Sequence, residues 1–337
     1  MSRTTSARTG ARLQPLKVTH PSRVAHPHTA GARSFLSLAD LSPEELAACL
    51  AEAARLKQAR ATGRRRVETP LLGRQVALLF DKPSLRTRVT FEVAVRELGG
   101  DPILIPSDVA LSGRESAADV ARNLERWVDA VVIRTFAQQI LEEFASAAPR
   151  LHVVNALTDE EHPCQALADL LTLQERLGTL AGRTVAYIGD GNNVATSLAQ
   201  AAVMAGMHVH LASPDGYVLQ ERVQAQVARL SRHGATLRLF TDPKAAVEGA
   251  SAVYTDVWTS MGQEHESLER ERAFTGYQVN EALMARAEPG AIFMHCLPAH
   301  RGEEVSAGVL DGPTSVVFDQ AENRLHAQKA VLSMLFA

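Results

Sequence analysis

The sequence is poor in cysteine and has little lysine. Three cysteines occur in 337 residues, Cys49, Cys164 and Cys296, far apart and in no CxxC or Cys/His zinc spacing. That excludes a disulfide framework and a structural zinc site, and it points to a reducing compartment. Only five of the 35 basic residues are lysine. The skew hints at a GC-rich genome, so the expectation is a cytoplasmic protein rather than one of the mitochondrial matrix. No run of about eighteen uncharged apolar residues exists, so no membrane-spanning helix is expected. No GxxxxGK[ST] loop is present, which argues against a P-loop nucleotide site. The net charge of −3 offers no global field for nucleic acid.

Acidic residues are wholly absent from residues 1–33, which hold Arg3, Arg8, Arg12, Lys17, Arg23 and Arg33. Setting those six aside leaves 29 basic against 38 acidic residues, a charge of −9 on the rest. The segment is rich in Ser, Thr, Pro, Gly and Ala and has no apolar period. It reads as a disordered basic tail. An organellar transit peptide and a mis-assigned start are the other readings.

What remains is 46% hydrophobic and 22% charged over the whole chain, the profile of a soluble globular protein long enough for two domains. "LSPEELAACLAEAARLKQAR" predicts an early amphipathic helix, with Ser42 as N-cap, Pro43 at the first helical position and Glu45 completing a capping box. Ten apolar runs then recur at helix-length intervals. They are "QVALLF", "DPILIP", "DAVVIRTF", "LHVVNAL", "RTVAYIG", "MHVHLAS", "TLRLFT", "ASAVYTDVW", "GAIFMHCLP" and "TSVVFDQ". Buried strands alternating with helices predict an α/β fold of two domains, each a mostly parallel sheet flanked by helices. The expected seam is "LQERLGTLAGRT", giving domains at 34–178 and 179–337. The last helix, about 321–337, is expected to return to the first domain.

Polar residues collect after the strands, where open α/β sheets bind ligands. "DKPSLRTRVTFE" follows the first run and carries Lys82, Arg86 and Arg88 with Ser84 and Thr87. Arg134 follows the third run, His162 and Gln165 the fourth, "DGNNV" the fifth. Asp256 and Ser260 follow the eighth, Cys296 ends the ninth, and Arg324 follows the tenth. Guanidiniums offer bidentate donors that stay charged, and a helix start adds a partial positive charge. Any one such arginine is more often a surface ion pair. Their recurrence at successive strand ends favours an anion cradle. "GDGNNV" has Val194 where a dinucleotide fingerprint wants its third glycine. Asn192, Asn193 and Asp256 suit the ammonium and carboxylate of an amino acid. Cys296 is either a buried apolar residue or a nucleophile in want of a base; its neighbour His295 would point to the other face of a strand. The pattern suggests group transfer from an acyl phosphate to an amine.

These motifs resemble the aspartate/ornithine carbamoyltransferase family, on its ornithine-accepting branch, over about residues 34–337. "SLRTR" looks like the family's S-T-R-T-R loop, "HPCQALAD" its H-P-x-Q motif, "DVWTSMGQE" its S-M-G loop and "HCLPAHRGEEV" its cysteine motif. The resemblance implies transfer of the carbamoyl group of carbamoyl phosphate to the δ-amine of L-ornithine, giving L-citrulline and phosphate, without metal or cofactor. Ser84, Leu85 (by its backbone N–H), Arg86, Thr87 and Arg134 would hold the phosphate. His162 and Gln165, in the "HPCQ" segment with Pro163 and Cys164, would contact the carbamoyl group, with Arg324, Cys296 and Leu297 completing that side. Asn193, Asp256, Ser260 and Met261 would bind ornithine, and Cys296 would stand beside the δ-amine as proton acceptor or orienter. Catalysis would fall to Cys296, Arg86, Arg134, His162 and Gln165. The family assembles as trimers or larger, with the site at a subunit boundary. Two departures stand out. Leu85 replaces a commoner threonine, and Ala110 stands near where a neighbouring subunit's glutamine is expected. Other readings are a relative acting on putrescine or acetylornithine, a dinucleotide-dependent dehydrogenase, and a non-catalytic member.

Overall fold

The computed structural model describes residues 32–64, 68–82, 84–106, 111, 113–260 and 262–337. The expected disordered tail lies, but for its last two residues, outside the described residues, as do Ala110 and Met261.

The first long helix, α1 (Pro43–Ala61), starts as its sequence predicts. Ser42 Oγ accepts from the Glu45 N–H at 3.1 Å, and Glu45 returns a carboxylate oxygen to the Ser42 N–H at 2.8 Å. Two free donors of the first turn are thereby satisfied.

Four strands make the first sheet: β1 (Gln75–Phe80), β2 (Asp101–Pro106), β3 (Ala130–Arg134) and β4 (His152–Leu157), in the order β2-β1-β3-β4. Five make the second: β5 (Thr184–Ile188), β6 (His208–Ala212), β7 (Leu237–Phe240), β8 (Ala252–Thr255) and β9 (Ile292–His295), in the order β7-β6-β5-β8-β9. All pairings between these strands are parallel. Central strands are buried along their length, which is why they read as continuous apolar runs, whereas the edges β2 and β7 are largely exposed. The helices that matter for the site are α2 (Arg86–Glu97), α3 (Ala117–Leu124), α4 (Gln138–Ala147), α5 (Pro163–Leu177), α6 (Asn193–Met204) and α7 (Glu221–Leu230). Short helices α8 (Pro243–Val247), α9 (Ser267–Ala273), α10 (Glu281–Met284) and α11 (Ala307–Leu310) precede the last, α12 (Val317–Leu335).

The strand orders place the site. In the first sheet the chain leaves β1 outward to β2 and returns to β3 on its other side; in the second it leaves β5 for β6 and β7 and returns at β8. Each reversal opens a crevice at the carboxyl ends, between β1 and β3 and between β5 and β8. The strand ends, loops and helix starts there carry Ser84–Thr87, Arg134, Asn193 and Asp256.

One expected strand is absent. "TSVVFDQ" gives a single bridge, Ser315 to Phe293, and then turns helical at Val317. Phe318, read as a strand residue, is exposed on α12, while Val317 and Gln320 are buried, a helical rather than a two-residue period. Nine named strands therefore stand among the described residues instead of ten, and Arg324 belongs to α12 itself.

As expected, α12 returns to the first half and packs on α1, α2 and α5. Leu332, Val331, Ala327 and Ala330 are buried there. Lys329 reaches Glu97 of α2 at 2.9 Å, a carboxylate that Arg60 of α1 also holds at 3.0 Å. Asn323 donates to Thr172 Oγ1 of α5 at 2.9 Å. No described helix is long and apolar enough to cross a membrane.

Candidate active site

A cavity of about 1050 Å³ opens at the carboxyl ends of both sheets. One wall is cationic. The first turn of α2 faces the cavity with Ser84, Leu85, Arg86 and Thr87, and no side chain caps it. Thr87 Oγ1 accepts from Arg324 Nη2 at 2.5 Å and lies 3.5 Å from Arg134 Nη1. Guanidiniums from β3 and from α12 thus meet on the hydroxyl of α2. Arg86 stands close enough for its charge to act on both. Burial, then the charges of Arg324 and Arg86, push Arg134 down to about 10. Burial also lowers Arg324. Both are still cations at neutral pH. The Nε groups of Arg134 and Arg324 are buried and bond to nothing among the described residues, so each guanidinium keeps a donor for another partner. Arg88 is exposed and takes no part in the cavity wall.

His162 precedes α5, with its backbone N–H on Ser197 Oγ at 2.8 Å. Burial, reinforced by Arg324 and Arg134, holds its imidazole well below the usual histidine range, so it is neutral. Its Nδ1 has no hydrogen-bond partner among the described residues. Pro163, Cys164 and Gln165 form the first turn of α5 and do not line the cavity. The Cys164 thiol points back to the Asn155 carbonyl at 3.5 Å. Gln165 donates to Asp169 Oδ1 at 2.8 Å, and its own Oε1 is buried without a partner among the described residues.

Lys82 gained no role from its motif, yet it lines this wall. It is buried, ion-paired with Asp159, and lies 4.2 Å from the centre of the Phe136 ring. Its place in "DKPSLRTR", two residues before Ser84, was the available signal.

The opposite wall is anionic and amide-rich. Asp256 follows β8, and its Oδ1 accepts the Cys296 thiol proton at 3.0 Å. Burial, then the Asp256 charge, push Cys296 well above the usual thiol range, so it is a thiol and not a thiolate. Asn192 is spent on structure. Its Oδ1 caps α6 through the Val194 and Ala195 N–H groups, and its amide donates to Asp256 Oδ2 at 3.0 Å. Asn193 lines the cavity and donates to the Thr158 carbonyl. Ser260 lines it too, its N–H on Gln263 Oε1 at 3.3 Å.

The glycine turn has a packing cause. A Cβ on Gly191 would stand 2.5 Å from the backbone nitrogen of Leu219, and Gly191 N–H bonds the Tyr217 carbonyl at 2.8 Å. The turn is shaped to meet the chain after β6, which accounts for "GDGNN" without a dinucleotide.

Leu297 reaches the cavity with φ at +57°, a left-handed conformation costly for a branched residue. His295 holds it there. Its Nδ1 accepts the Leu297 N–H at 2.9 Å, and its Nε2 faces buried Glu304 at 3.2 Å; contrary to the expected opposite-face arrangement, a His295 ring nitrogen also lies within 4.8 Å of the Cys296 sulfur and the Asp256 carboxylate, because Cys296 already lies beyond the end of β9. Arg270 also went unremarked in the sequence. It is buried and bonds Asp190 at 2.6 Å, the Trp258 carbonyl at 3.1 Å and Glu266 at 2.9 Å, anchoring the loop that carries Ser260.

Residues 33–175 match the family domain described as "Aspartate/ornithine carbamoyltransferase, carbamoyl-P binding domain", and 181–335 match its "Asp/Orn binding domain". The chain belongs to the aspartate/ornithine carbamoyltransferase family. Among its relatives, the ornithine carbamoyltransferase of Symbiobacterium thermophilum is 52% identical over 314 residues, covering 92% of this chain and 99% of that protein. That of Acidothermus cellulolyticus is 53% identical over 306 residues, 90% of this chain and 96% of that protein. The solved structure of the Pyrococcus furiosus ornithine carbamoyltransferase matches with a TM-score of 0.84 at 46% identity, covering 90% of this chain and 96% of the other. The Thermus thermophilus enzyme matches with a TM-score of 0.81 at 44% identity, covering 90% and 99%. Within this carbamoyltransferase family, the cationic wall falls mainly in the stretch matched as carbamoyl-P binding, and Asp256 and Cys296 in the stretch matched as Asp/Orn binding.

Proposed function

We propose that this chain transfers the carbamoyl group of carbamoyl phosphate to the δ-amine of L-ornithine, giving L-citrulline and phosphate. The observation that carries the reading is the meeting of Arg134 and Arg324 on Thr87, across the cavity from Asp256 and Cys296. Like charges gathered in a buried place repel and shift one another; an anion between them relieves that cost.

In this reading residues 34–178 bind carbamoyl phosphate and 179–337 bind ornithine. Arg86, Arg134, Ser84, Thr87 and the Leu85 N–H take the phosphate. His162 takes the carbamoyl group at the cavity wall, Gln165 stands just behind it with an Oε1 still open to a partner, and Arg324 lies between carbamoyl group and phosphate. Asp256, Asn193, Ser260 and Met261 take ornithine. The neutral δ-amine attacks the carbamoyl carbon, the C–N bond forms, and the C–O bond to phosphate breaks. The amine gives up one proton, and the departing phosphate gains one. Negative charge builds on the carbamoyl oxygen and the leaving group, where donors fixed beforehand are each worth about 3 kcal/mol of barrier. Holding two substrates in line contributes several kcal/mol more. A neutral His162 serves here as a hydrogen-bond donor, not a cation. Cys296, as a thiol bonded to Asp256, orients rather than accepts a proton.

A homotrimer or a multiple of it goes with this reading. Exposed Leu85 just before α2, Val89 on it, and Ile103 and Leu104 on the β2 edge supply apolar surface for a neighbouring copy. A colorimetric citrulline assay with ornithine, putrescine and acetylornithine tests the activity. Carbamoylation of ornithine alone is the expected result, and none with any amine refutes it.

A further inference from the structure

Behind the cavity wall, four side chains from three elements close into one hydrogen-bonded unit. Gln320 of α12 is wholly buried. Its Oε1 accepts the backbone N–H of His295 at 3.0 Å, at the end of β9. A backbone N–H can only donate, so the amide oxygen must face β9 and the nitrogen must face away. That nitrogen donates to Asp169 Oδ1 of α5 at 2.7 Å and lies 3.0 Å from the Tyr254 hydroxyl of β8. Asp169 Oδ1 also accepts from Gln165 Nε2 at 2.8 Å. Gln320 is therefore two bonds from Gln165 on one side and one residue from Cys296 on the other, with Arg324 one turn further along its own helix.

We propose that Gln320 and Asp169 are positioning residues, which hold Gln165 on the phosphate side and the His295–Leu297 strand end on the amine side in one register. The inference rests on the carbamoyl-transfer reading. Its physical basis is that a misplacement of about 1 Å between reacting groups costs on the order of a hundredfold in rate. Neither residue lines the cavity, so both act through others. Burial pushes Asp169 up to about 7 against the donors Gln165, Gln320 and Tyr254 and the charge of Arg324. Cys296, beyond β9, is the other titratable group that faces it.

The acid at 169 and the amide at 320 are polar opposites, and the unit also closes with the two exchanged. Gln165 and Gln320 bond the same Asp169 oxygen, so with an amide at 169 its nitrogen stands there: one hydrogen goes to a carboxylate at 320, which also accepts from Tyr254 and the His295 N–H, and the other goes to Gln165 once that amide turns over to present its Oε1. Exchange at one end only sets two carboxyl groups at hydrogen-bond distance, where both cannot ionise.

The test compares wild type, Q320E and D169N/Q320E by kcat, KM for both substrates and Tm, from pH 6.5 to 9. Relative to wild type, Q320E is expected to lose about tenfold in kcat as pH rises and the shared proton leaves, with both KM values within about threefold. D169N/Q320E is expected to regain at least about a third of wild-type kcat across the range. A merely structural role would lower Tm without the pH trend and without the rescue. A Q320E that tracks wild type at every pH overturns the proposal, as does a double variant that is unfolded or below that level. Should Q320E not fold, the double variant decides alone. Wild-type citrulline formation is measured alongside. A silent wild type sinks the carbamoyl-transfer reading, whereas an active wild type with a silent double variant sinks only this one.

Discussion

Arg324 and Thr87 stand 237 positions apart in sequence and 2.5 Å apart in space. The last helix thus supplies a cation to the first turn of the second helix. Arg134 joins the same hydroxyl, and Arg86 is half-buried beside them. Replacing Arg86 by Ala removes a donor without emptying the core. The expected outcome is a Tm within a few degrees of wild type and a turnover lowered more than about a hundredfold, a loss of about 3 kcal/mol in transition-state binding. Steady-state citrulline production near the wild-type rate would remove Arg86 from the site.

Cys296 separates two roles cleanly. Its thiol donates to Asp256, so a hydroxyl in its place keeps a donor and a methyl does not. Cys296→Ser should hold KM for ornithine within about threefold, whereas Cys296→Ala should raise it about tenfold, the weight of one hydrogen bond to a charged group. Equal collapse of kcat in both variants would instead mark the sulfur as a base.

Activity should climb toward alkaline pH. The attacking δ-amine is mostly protonated at neutral pH and must be neutral to react. His162 adds no inflection of its own near pH 6.5, because burial and two arginines keep it neutral well below that. A flat kcat/KM for ornithine between pH 6.5 and 9 contradicts this picture.

Asp169 makes a stability prediction. Its carboxyl is raised by burial to about 7 from an ordinary value of 3.8. Between those limits the folded state binds more protons than the unfolded, so this residue's contribution falls as pH rises from about 4 to about 7 and then levels. Asp169→Asn abolishes that decline. Its Tm relative to wild type should be higher at pH 8 than at pH 5, and thermal melts showing the reverse would disprove the assignment.

Glu97 behaves in the opposite sense. Burial resists its ionisation, but Lys329 and Arg60 together outweigh burial and hold it below the usual range. Stability from this cluster is present above the unfolded carboxylate range and is lost as pH falls through the depressed value. Glu97→Gln leaves buried Lys329 without its carboxylate, and about 3–5 kcal/mol of stability should go with it in urea unfolding.

Much of this site is legible in the sequence because its logic is topological. Apolar strand bodies followed by polar ends, repeated from "VALLF" to "AIFMH", point to crevices at the carboxyl edges, and the chain reversals after β1 and β5 put them there. The cap of α1 is equally local and equally readable. What the sequence hides is direction. Asn192 and Asn193 look alike in a string and both line the cavity, but a helix starts between them, so Asn192 is spent on capping it and on Asp256. Cys164 sits in a motif with His162, yet helical geometry turns its thiol toward β4. "TSVVFDQ" has a strand's composition, and only the docking of Val317 and Gln320 makes it helix. Lys82 was named in its motif without a role, and Arg270 escaped notice, because their partners, Asp159 and Asp190, lie far along the chain.

Because Arg324 is carried by the final helix, the cradle does not exist while the chain is still being made. A nascent protein emerging from the ribosome can build both sheets and still present only part of its cationic wall. Substrate capture therefore has to await the synthesis and docking of α12, and any premature termination upstream of residue 324 yields a product deprived of both a structural clasp and an anion ligand.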